Sequence, residues 1–442
     1  MKGNVAKKIL SVILALAVIA ASFTAGFFIR GCSRGRAVSS YEWGIDVIRK
    51  NYYFGDEADF AGMSLGSIAD RYLDRYSEYY TAEEYQAALK SNSGSKSGFG
   101  LSYSFVDGRG VYTASVVGNS PAYNGGLRAG EWLTSGYISE NSTVEFKSSA
   151  DFQKLLSGVP DGGEVNLVSE SGKVYTVGRS EYTASYTYLC AGGSRWIFTD
   201  AASGGLALKE VAGEISYLPE GCAYIRLSQF YGSAAEEFFV LAEKFNALNC
   251  TSLILDLRSN GGGYVSVMQD IAGAFADGGQ QLAMLSRDKG GREEKYYCKK
   301  VSDRSKRISK DTRVYVLANS GTASASEALI GAMICYGALE YENVFLSDYS
   351  KEYLDWLGPS GQDVKTASTY GKGIMQSTFV NSFTGEALKL TTAKIFWPDK
   401  QTCIHDIGLT VKDNGCTAVA AQWQHTLADE ELRSAVEIIK TR

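Results

Sequence analysis

Histidine is scarce in this chain of 442 residues, which contains only His405 and His425. A catalytic arrangement of the Ser-His-Asp type therefore has few candidates, and a serine paired with a lysine is the economical alternative for any nucleophile. We interpret His405 as a structural or surface residue.

Motifs for metal, redox and nucleic-acid chemistry are also missing. The eight cysteines are irregularly spaced and form no C-x-x-C pair, which argues against zinc ribbons and redox centres. We expect no metal and no cofactor. The formal net charge of −5 and the lack of a long basic cluster outside the amino terminus argue against a nucleic-acid partner.

One uncharged apolar run is long enough to cross a bilayer. It covers the 21 residues from Ile9 to Ile29 and follows Lys2, Lys7 and Lys8. This length predicts a transmembrane anchor rather than a cleaved signal peptide, whose apolar core is usually shorter. Positive charge flanks both ends, so the charge pattern alone does not set the orientation.

The stretch RVYVLANSGTASASEAL, from Arg313 to Leu329, predicts a buried strand, a turn and then a helix. Ser324 would lie in the first helical turn, where unpaired N–H groups and the helix dipole favour a developing negative charge. This is a suitable position for a nucleophile. The alternative is a simple capping box, because Ser324 and Glu327 stand in a Ser-x-x-Glu relation.

Two further segments carry candidate chemistry. In YGKGIMQ, Lys372 lies between two glycines, and Gln376 would share its face if the segment formed a helical turn. Lys372 could act as a base if burial made it partly neutral, although a solvated turn lysine is the alternative. In SLILDLRSNGGG, a buried strand leads to Gly262 and Gly263, whose N–H groups could bind an anion. A phosphate loop is the other reading, but no Lys-Ser or Lys-Thr pair follows.

These three segments resemble, in order and character, the catalytic motifs of the C-terminal processing peptidases, also called tail-specific proteases or peptidase family S41. The matching motifs are LDLRSNGGG, TASASE and YGKGIMQ. The resemblance implies that Ser324 is the nucleophile, Lys372 the general base and Gln376 its positioning partner. It also implies an oxyanion hole made by the N–H of Ala325 with that of Gly262 or Gly263.

The amino-terminal half extends the resemblance. Residues 97–138 resemble the first part of a PDZ domain, which implies that the loop of Phe99, Gly100 and Leu101 captures a terminal carboxylate. A glycine-rich β-domain without a ligand is the alternative. Ahead of it, residues 40–89 have helical periodicity and resemble the helical lead-in of these peptidases, with Arg75 where the family has a proline.

The sequence thus predicts an α/β multidomain protein whose enzymatic part is a Ser-Lys peptidase core. The predicted divisions are a cytoplasmic tip and transmembrane anchor (1–36), a helical region (37–92), a β-rich PDZ domain (93–185) and the peptidase core (186–442), with an insertion near 341–369 that would be a lid or a surface loop.

The predicted function is that of a membrane-anchored, extracytoplasmic serine endopeptidase that recognises exposed apolar carboxyl-terminal tails of proteins or peptides. A catalytically impaired scaffold or assembly factor is the competing class, and a nucleotide-binding enzyme is a third. A homo-oligomer is compatible with the sequence, which does not fix the oligomeric state.

Overall fold

The structure, a computed structural model, describes residues 39–55, 60, 62–201, 205–213, 215–357, 364–421 and 429–442. Its helices are α1 Ser40–Asn51, α2 Leu65–Tyr72, α3 Ala82–Asn92, α4 Pro121–Asn124, α5 Ser149–Ser157, α6 Ala234–Ala247, α7 Val265–Phe275, α8 Ala325–Cys335, α9 Lys351–Leu357, α10 Val411–Asn414 and α11 Glu430–Thr441.

The strands are β1 Glu78–Tyr80, β2 Ser95–Gly98, β3 Leu101–Val106, β4 Gly110–Val116, β5 Trp132–Tyr137, β6 Val144–Glu145, β7 Glu164–Ser169, β8 Val174–Gly178, β9 Ser180–Thr183, β10 Thr187–Ala191, β11 Ser194–Asp200, β12 Leu206–Ala212, β13 Cys222–Leu227, β14 Ser252–Asp256, β15 Leu282–Asp288, β16 Glu293–Tyr297, β17 Arg313–Ala318, β18 Val344–Tyr349, β19 Ile374–Val380, β20 Ala387–Phe396 and β21 Thr417–Ala421.

An eight-stranded sheet forms the centre of the carboxyl-terminal half, in the order β12-β11-β10-β13-β14-β17-β18-β21. The five strands from β13 to β21 in that order are parallel. Their apolar side chains are buried because helices cover both faces: α6, α7 and α8 pack on one face and α11 on the other. The carboxyl ends of β14 and β17 therefore meet at one edge, which brings the loops after these strands together.

A separate six-stranded sheet, β3-β4-β5-β7-β8 with β6 beside β5, lies within residues 93–185 and has its own apolar core. The two-stranded pair of β2 and β9 joins it to the rest of the chain. The β-rich character expected for this region is thus present.

A third sheet connects the amino-terminal helices to the peptidase half. Strand β20 pairs with β15, β19 and β1, and β1 comes from the segment between α2 and α3. Helices α1 and α2 pack on β20 through a small apolar cluster. The helical lead-in is therefore built into the same body as the carboxyl-terminal strands.

The predicted insertion near 341–369 needs correction. Residues 344–349 form β18, which pairs with β17 and β21 inside the central sheet, so they are core rather than lid or surface loop. Among the described residues of this stretch, 341–343, α9 and 364–369 lie outside the strands of the sheet. The sequence reading failed because a polar, aromatic-rich stretch follows β18 directly and obscures where the buried strand ends.

No helix among the described residues is long and apolar enough to cross a bilayer. The predicted anchor from Ile9 to Ile29 lies outside the described residues.

Candidate active site

Ser324 lies at the sharp turn between β17 and α8, as the strand-turn-helix pattern predicts. Its φ and ψ of 59° and −117° fall in a region that non-glycine residues rarely adopt, at a typical cost of about 1–3 kcal/mol. Asn319 holds the turn, since its side-chain oxygen accepts the N–H groups of Gly321 (3.0 Å) and Ser259 (2.7 Å). The surrounding turns thus hold Ser324 in a strained conformation at the edge of the sheet.

Glu327 links the serine turn to the lysine loop. Its carboxylate is fully buried. Oε2 accepts the backbone N–H groups of Ser324 (3.0 Å) and Lys372 (2.9 Å), and Oε1 accepts the N–H of Gly371 (2.8 Å) and the hydroxyl of Thr369 (2.6 Å). Because one oxygen binds both backbones, the two predicted catalytic residues are held side by side.

The electrostatics of Glu327 reflect this position. Burial raises the pKa of its carboxyl, while the four hydrogen bonds favour the ionised form and oppose the rise. The Ser-x-x-Glu spacing pointed to a cap, and the glutamate half of that cap is present, but the contacts to residues 369–372 could not be read from local spacing.

Lys372 is partly buried, and burial lowers the pKa of its amine; nearby Lys389 lowers it further, while Asp74 and Glu327 oppose the shift. Its Nζ lies 4.7 Å from the centre of the Tyr76 ring. Among the described residues there is no hydrogen bond between Lys372 Nζ and Ser324 Oγ. The backbones of Ser324 and Lys372 are therefore held close together by Glu327, while the Lys372 amine lies against an aromatic face.

The helical arrangement predicted for Gln376 is wrong. Gln376 lies in β19, and its side-chain amide donates to Thr391 Oγ1 at 3.1 Å on the neighbouring strand. Pairing with β20 determines this conformation, and such long-range pairing does not appear in local periodicity. In this structure Gln376 does not bond to Lys372.

The predicted oxyanion donors lie beside Ser324. A side chain on Gly262, whose φ is +97°, would place its Cβ 2.9 Å from the Ala325 nitrogen and 2.9 Å from Ser324 Cβ. Only glycine permits this approach. The Gly262 N–H already donates to Asn260 Oδ1 at 3.0 Å, whereas the N–H groups of Gly263 and Ala325 have no acceptor within the described parts of the chain. The N–H of Gly263 is therefore more available than that of Gly262 to form an oxyanion hole with the N–H of Ala325.

The predicted tail-binding loop borders a groove of about 590 Å³. Phe99 and Gly100 are anchored through their carbonyl oxygens, which accept the N–H groups of Ala122 (2.9 Å) and Val117 (2.8 Å). The walls of the groove come from β3, from α5 and from the amino-terminal helix α3. Among the residues that line it are Ala87, Lys96, Phe99, Gly100, Leu101 and Leu156.

Comparisons with known proteins agree with this geometry. Residues 221–338 match the sequence family described as peptidase family S41; the match includes Gly262 and Ser324 and ends before Lys372. The chain is 26% identical to a CtpA-like serine protease of Staphylococcus epidermidis over 363 residues, which is 81% of this chain and 61% of the relative. It is 27% identical to the chloroplastic carboxyl-terminal-processing peptidase 2 of Arabidopsis thaliana over 79% of this chain and 59% of the relative.

The chain thus spans about three fifths of the length of these relatives. A solved structure described as an S41 protease from Bacteroides fragilis superposes with a TM-score of 0.56 at 13% identity, covering 92% of this chain and 99% of the other, which shows a shared mixed α/β fold. The predicted resemblance is confirmed: residues 221–338 match peptidase family S41, a family of serine-type peptidases.

Proposed function

We propose that this protein is a serine endopeptidase of the C-terminal processing type, with Ser324 as nucleophile and Lys372 as general base. The observation that carries the proposal is the buried Glu327 carboxylate, which accepts the backbone N–H groups of both residues. The segments that carry Ser324 and Lys372 thus meet at Glu327, although they are far apart in the sequence. The N–H groups of Ala325 and Gly263, which can bind an oxyanion, belong to the adjoining turns.

The mechanism follows from these positions. Neutral Lys372 leaves the Tyr76 ring, reaches Ser324 Oγ and accepts its proton as the oxygen attacks the scissile carbonyl carbon. The N–H groups of Ala325 and Gly263 stabilise the tetrahedral oxyanion. Lys372 then donates the proton to the departing amine, leaving an acyl-enzyme. Water, deprotonated by the same lysine, attacks the ester and releases the acid and the serine hydroxyl.

The groove beside Phe99, Gly100 and Leu101 is the proposed site for the substrate tail. An extended peptide would add to the edge of β3, with its terminal carboxylate near the turn of Gly98 and Gly100. Both glycines have positive φ, +117° and +77°, which lets successive N–H groups point toward one anion. The apolar side chains of the groove favour an apolar tail.

The apolar run from Ile9 to Ile29 is proposed to anchor the enzyme in the cell membrane, with its peptidase body on the extracytoplasmic side. Its length matches the hydrocarbon core of a bilayer. Protein substrates with accessible carboxyl termini on that side would be the natural targets.

The test uses the full chain in detergent micelles, incubated with an unstructured protein that ends in an apolar tail. Ser324→Ala and Lys372→Ala should each reduce cutting by about 10²-fold or more. The matched controls are Ser302→Ala and Lys351→Ala, both at exposed positions, and they should cut like the wild type. Undiminished cutting by either active-site variant would exclude the dyad.

The resting position of Lys372 Nζ on the Tyr76 ring supports one second candidate, a protein that binds tails without cutting them. A serine-directed fluorophosphonate distinguishes the two. Labelling of Ser324 together with tail-dependent proteolysis supports the enzyme. Tail binding that persists in Ser324→Ala, with no labelling of the wild type, supports the scaffold.

A further inference from the structure

A loop from the amino-terminal region reaches the candidate active site. It covers residues 74–77, between α2 and β1. The N–H of Asp74 donates to the Tyr52 hydroxyl at 2.7 Å, and Ser77 Oγ accepts the N–H of Thr391 at 3.0 Å. With β1 paired to β20 immediately afterwards, the loop is fixed at both ends, so its central residues have a defined place.

Tyr76 lies at the centre of this loop and contacts the lysine side of the site in two ways. Its ring face meets Lys372 Nζ at 4.7 Å, and its hydroxyl donates to the Tyr370 hydroxyl at 2.9 Å. The Tyr370 N–H in turn donates to the Thr322 carbonyl at 3.0 Å. Tyr76 therefore connects the amino-terminal loop both to the lysine amine and to the turn that carries Ser324.

Arg75 strengthens this arrangement from the other side. Its guanidinium lies 5.0 Å from the centre of the Tyr76 ring and 5.4 Å from that of Tyr370. Burial, with the hydrogen bond to Tyr370 as a second cause, raises the pKa of Tyr76 to about 12. The Tyr76 side chain is therefore neutral near pH 7.

We propose that Tyr76 is a positioning residue for the general base: its ring holds the Lys372 amine beside the serine turn and keeps water away from it. This inference rests on the proposed function, because it assigns Tyr76 a part in preparing Lys372 for proton transfer. The loop of residues 74–77 is then part of the active centre, in addition to any role that it has in packing.

Other charged groups also act on Lys372, and they come from three different parts of the chain. Glu327 approaches from α8, Asp74 from the amino-terminal loop and Lys389 from β20, while Arg75 lies beyond the Tyr76 ring. Replacing Tyr76 by alanine removes none of these charges, but it also removes the side-chain hydrogen bonds of Tyr76 to Arg75 and Tyr370. Tyr76→Phe loses the same hydrogen bonds and keeps the ring, so a change in Lys372 that occurs only in Tyr76→Ala reports the loss of the ring.

Two opposing effects follow from removing the ring. Loss of the cation–π contact, which is weak at an accessible site, destabilises the ammonium and lowers the pKa of Lys372 by less than about one unit. Entry of water stabilises the ammonium, and burial can shift a lysine by about 3–5 units when complete. Since burial is the largest cause of the lowered pKa of Lys372, the entry of water should prevail.

The experiment measures the pKa of Lys372 in the full chain by competitive acetylation with acetic anhydride over a range of pH, read by mass spectrometry of the peptide that contains Lys372. In Tyr76→Ala the pKa should rise by about one unit. In Tyr76→Phe, which keeps the ring, and in Tyr72→Ala, which removes an exposed tyrosine of the same region, it should not change. An unchanged value in a folded Tyr76→Ala protein would overturn the inference.

The dependence of activity on pH is a second measurement, and it would not change if Tyr76 had only a structural role. The acid limb of kcat against pH should shift upward in Tyr76→Ala, so that cutting lost at pH 7 returns at higher pH, with KM unchanged. If Tyr76→Ala does not fold, Tyr76→Gln fills similar space with a polar group and should raise the pKa of Lys372 in the same direction; no rise in it would overturn the inference.

The inference and the proposed function can fail separately. Acetylation needs no hydrolysis, so a pKa that rises in Tyr76→Ala supports the positioning role even if the wild type cuts nothing. Conversely, if Ser324→Ala abolishes cutting while Tyr76→Ala leaves the pKa of Lys372 and the acid limb unchanged, the peptidase stands and the role of Tyr76 does not.

Discussion

At the scale of single residues, the site depends on Glu327 as much as on the two side chains that would do the chemistry. One carboxylate without exposure to solvent accepts four hydrogen bonds and is shared by two segments of the chain. A buried charge is stable only when its oxygens are satisfied in this way. The same contacts therefore maintain both the local fold and the approach of Ser324 to Lys372.

We predict that Glu327→Gln is destabilised by about 2–4 kcal/mol and loses most of its activity. An amide has one acceptor oxygen, so it leaves buried N–H groups without a partner and places its own NH₂ against them. Thermal unfolding and peptide cleavage measure the two effects. The matched control is Glu352→Gln on exposed α9, which should change neither quantity; a fully active Glu327→Gln would show that the shared carboxylate is dispensable.

The positions of some of these residues could be predicted from local sequence, and those of others could not. Ser324 and Gly262 could be predicted because each lies in a turn that follows a buried strand and precedes a helix. Gln376 was misplaced because a seven-residue motif carries no sign of the β20 pairing that makes it a strand. Tyr76 was missed because it meets Tyr370 across 294 positions, a distance that no local pattern spans.

At the scale of elements, an ion cluster around the buried Asp256 attaches α11 to the central sheet. Asp256 at the end of β14 binds Arg226 (2.9 Å) and Arg258 (2.6 Å), and Arg258 also contacts Asp429 and Glu431 at the start of α11. These acidic residues lie at the amino-terminal end of α11, where the helix dipole also favours them. The cluster thus links the start of α11 to the end of β14 and to Arg258, which lies in the loop that leads to Gly262.

We predict that Arg258→Gln lowers the free energy of unfolding by about 3–5 kcal/mol, because it leaves Asp256 charged and partly unpaired in the interior. Urea denaturation measures this loss. The control is Lys440→Gln on α11 itself, whose exposed pair with Glu437 should contribute less than about 1 kcal/mol. Equal effects of the two substitutions would contradict the assigned role of the cluster.

The same cluster sets a dependence of stability on pH. The two arginines hold the pKa of Asp256 well below its ordinary value of 3.8, although burial alone would raise it. A depressed carboxyl pKa stabilises the fold above the unfolded value and loses that contribution as the pH falls toward the folded one. Wild-type stability should therefore decline below about pH 4 more steeply than that of Arg258→Gln; parallel curves by urea denaturation would contradict this.

At the scale of the whole molecule, each of the three sheets contributes something different. The central sheet supplies Ser324 and the glycine loop, the β20 sheet supplies the lysine segment together with Tyr76, and the six-stranded sheet borders the groove that we propose for a tail. Strands β14 and β17 of the parallel core could be predicted from their runs of apolar residues. The assignment of β18 to that core could not, because only its neighbours β17 and β21 identify it as an inner strand.

We predict that Gly100→Ala reduces tail-dependent cleavage without reducing fluorophosphonate labelling of Ser324. A Cβ at Gly100 would lie 2.1 Å from Ser120 Cβ, whereas one at Gly108 would meet nothing within 4 Å. Both glycines have positive φ, so Gly108→Ala is a control for backbone strain alone. Cleavage is measured with an apolar free tail and with the same tail amidated. If the wild type and Gly100→Ala both cleave the free and the amidated tail equally well, the groove does not recognise the terminal carboxylate.

The most direct test of the whole account is the rate at which a fluorophosphonate labels Ser324 in the full chain, compared between the wild type and Lys372→Ala. If the lysine amine removes the serine proton, the rate should fall by about 10²-fold or more in Lys372→Ala, with Lys351→Ala unchanged. An equal rate in the wild type and Lys372→Ala, or labelling at another serine, would contradict a mechanism in which Ser324 and Lys372 act together.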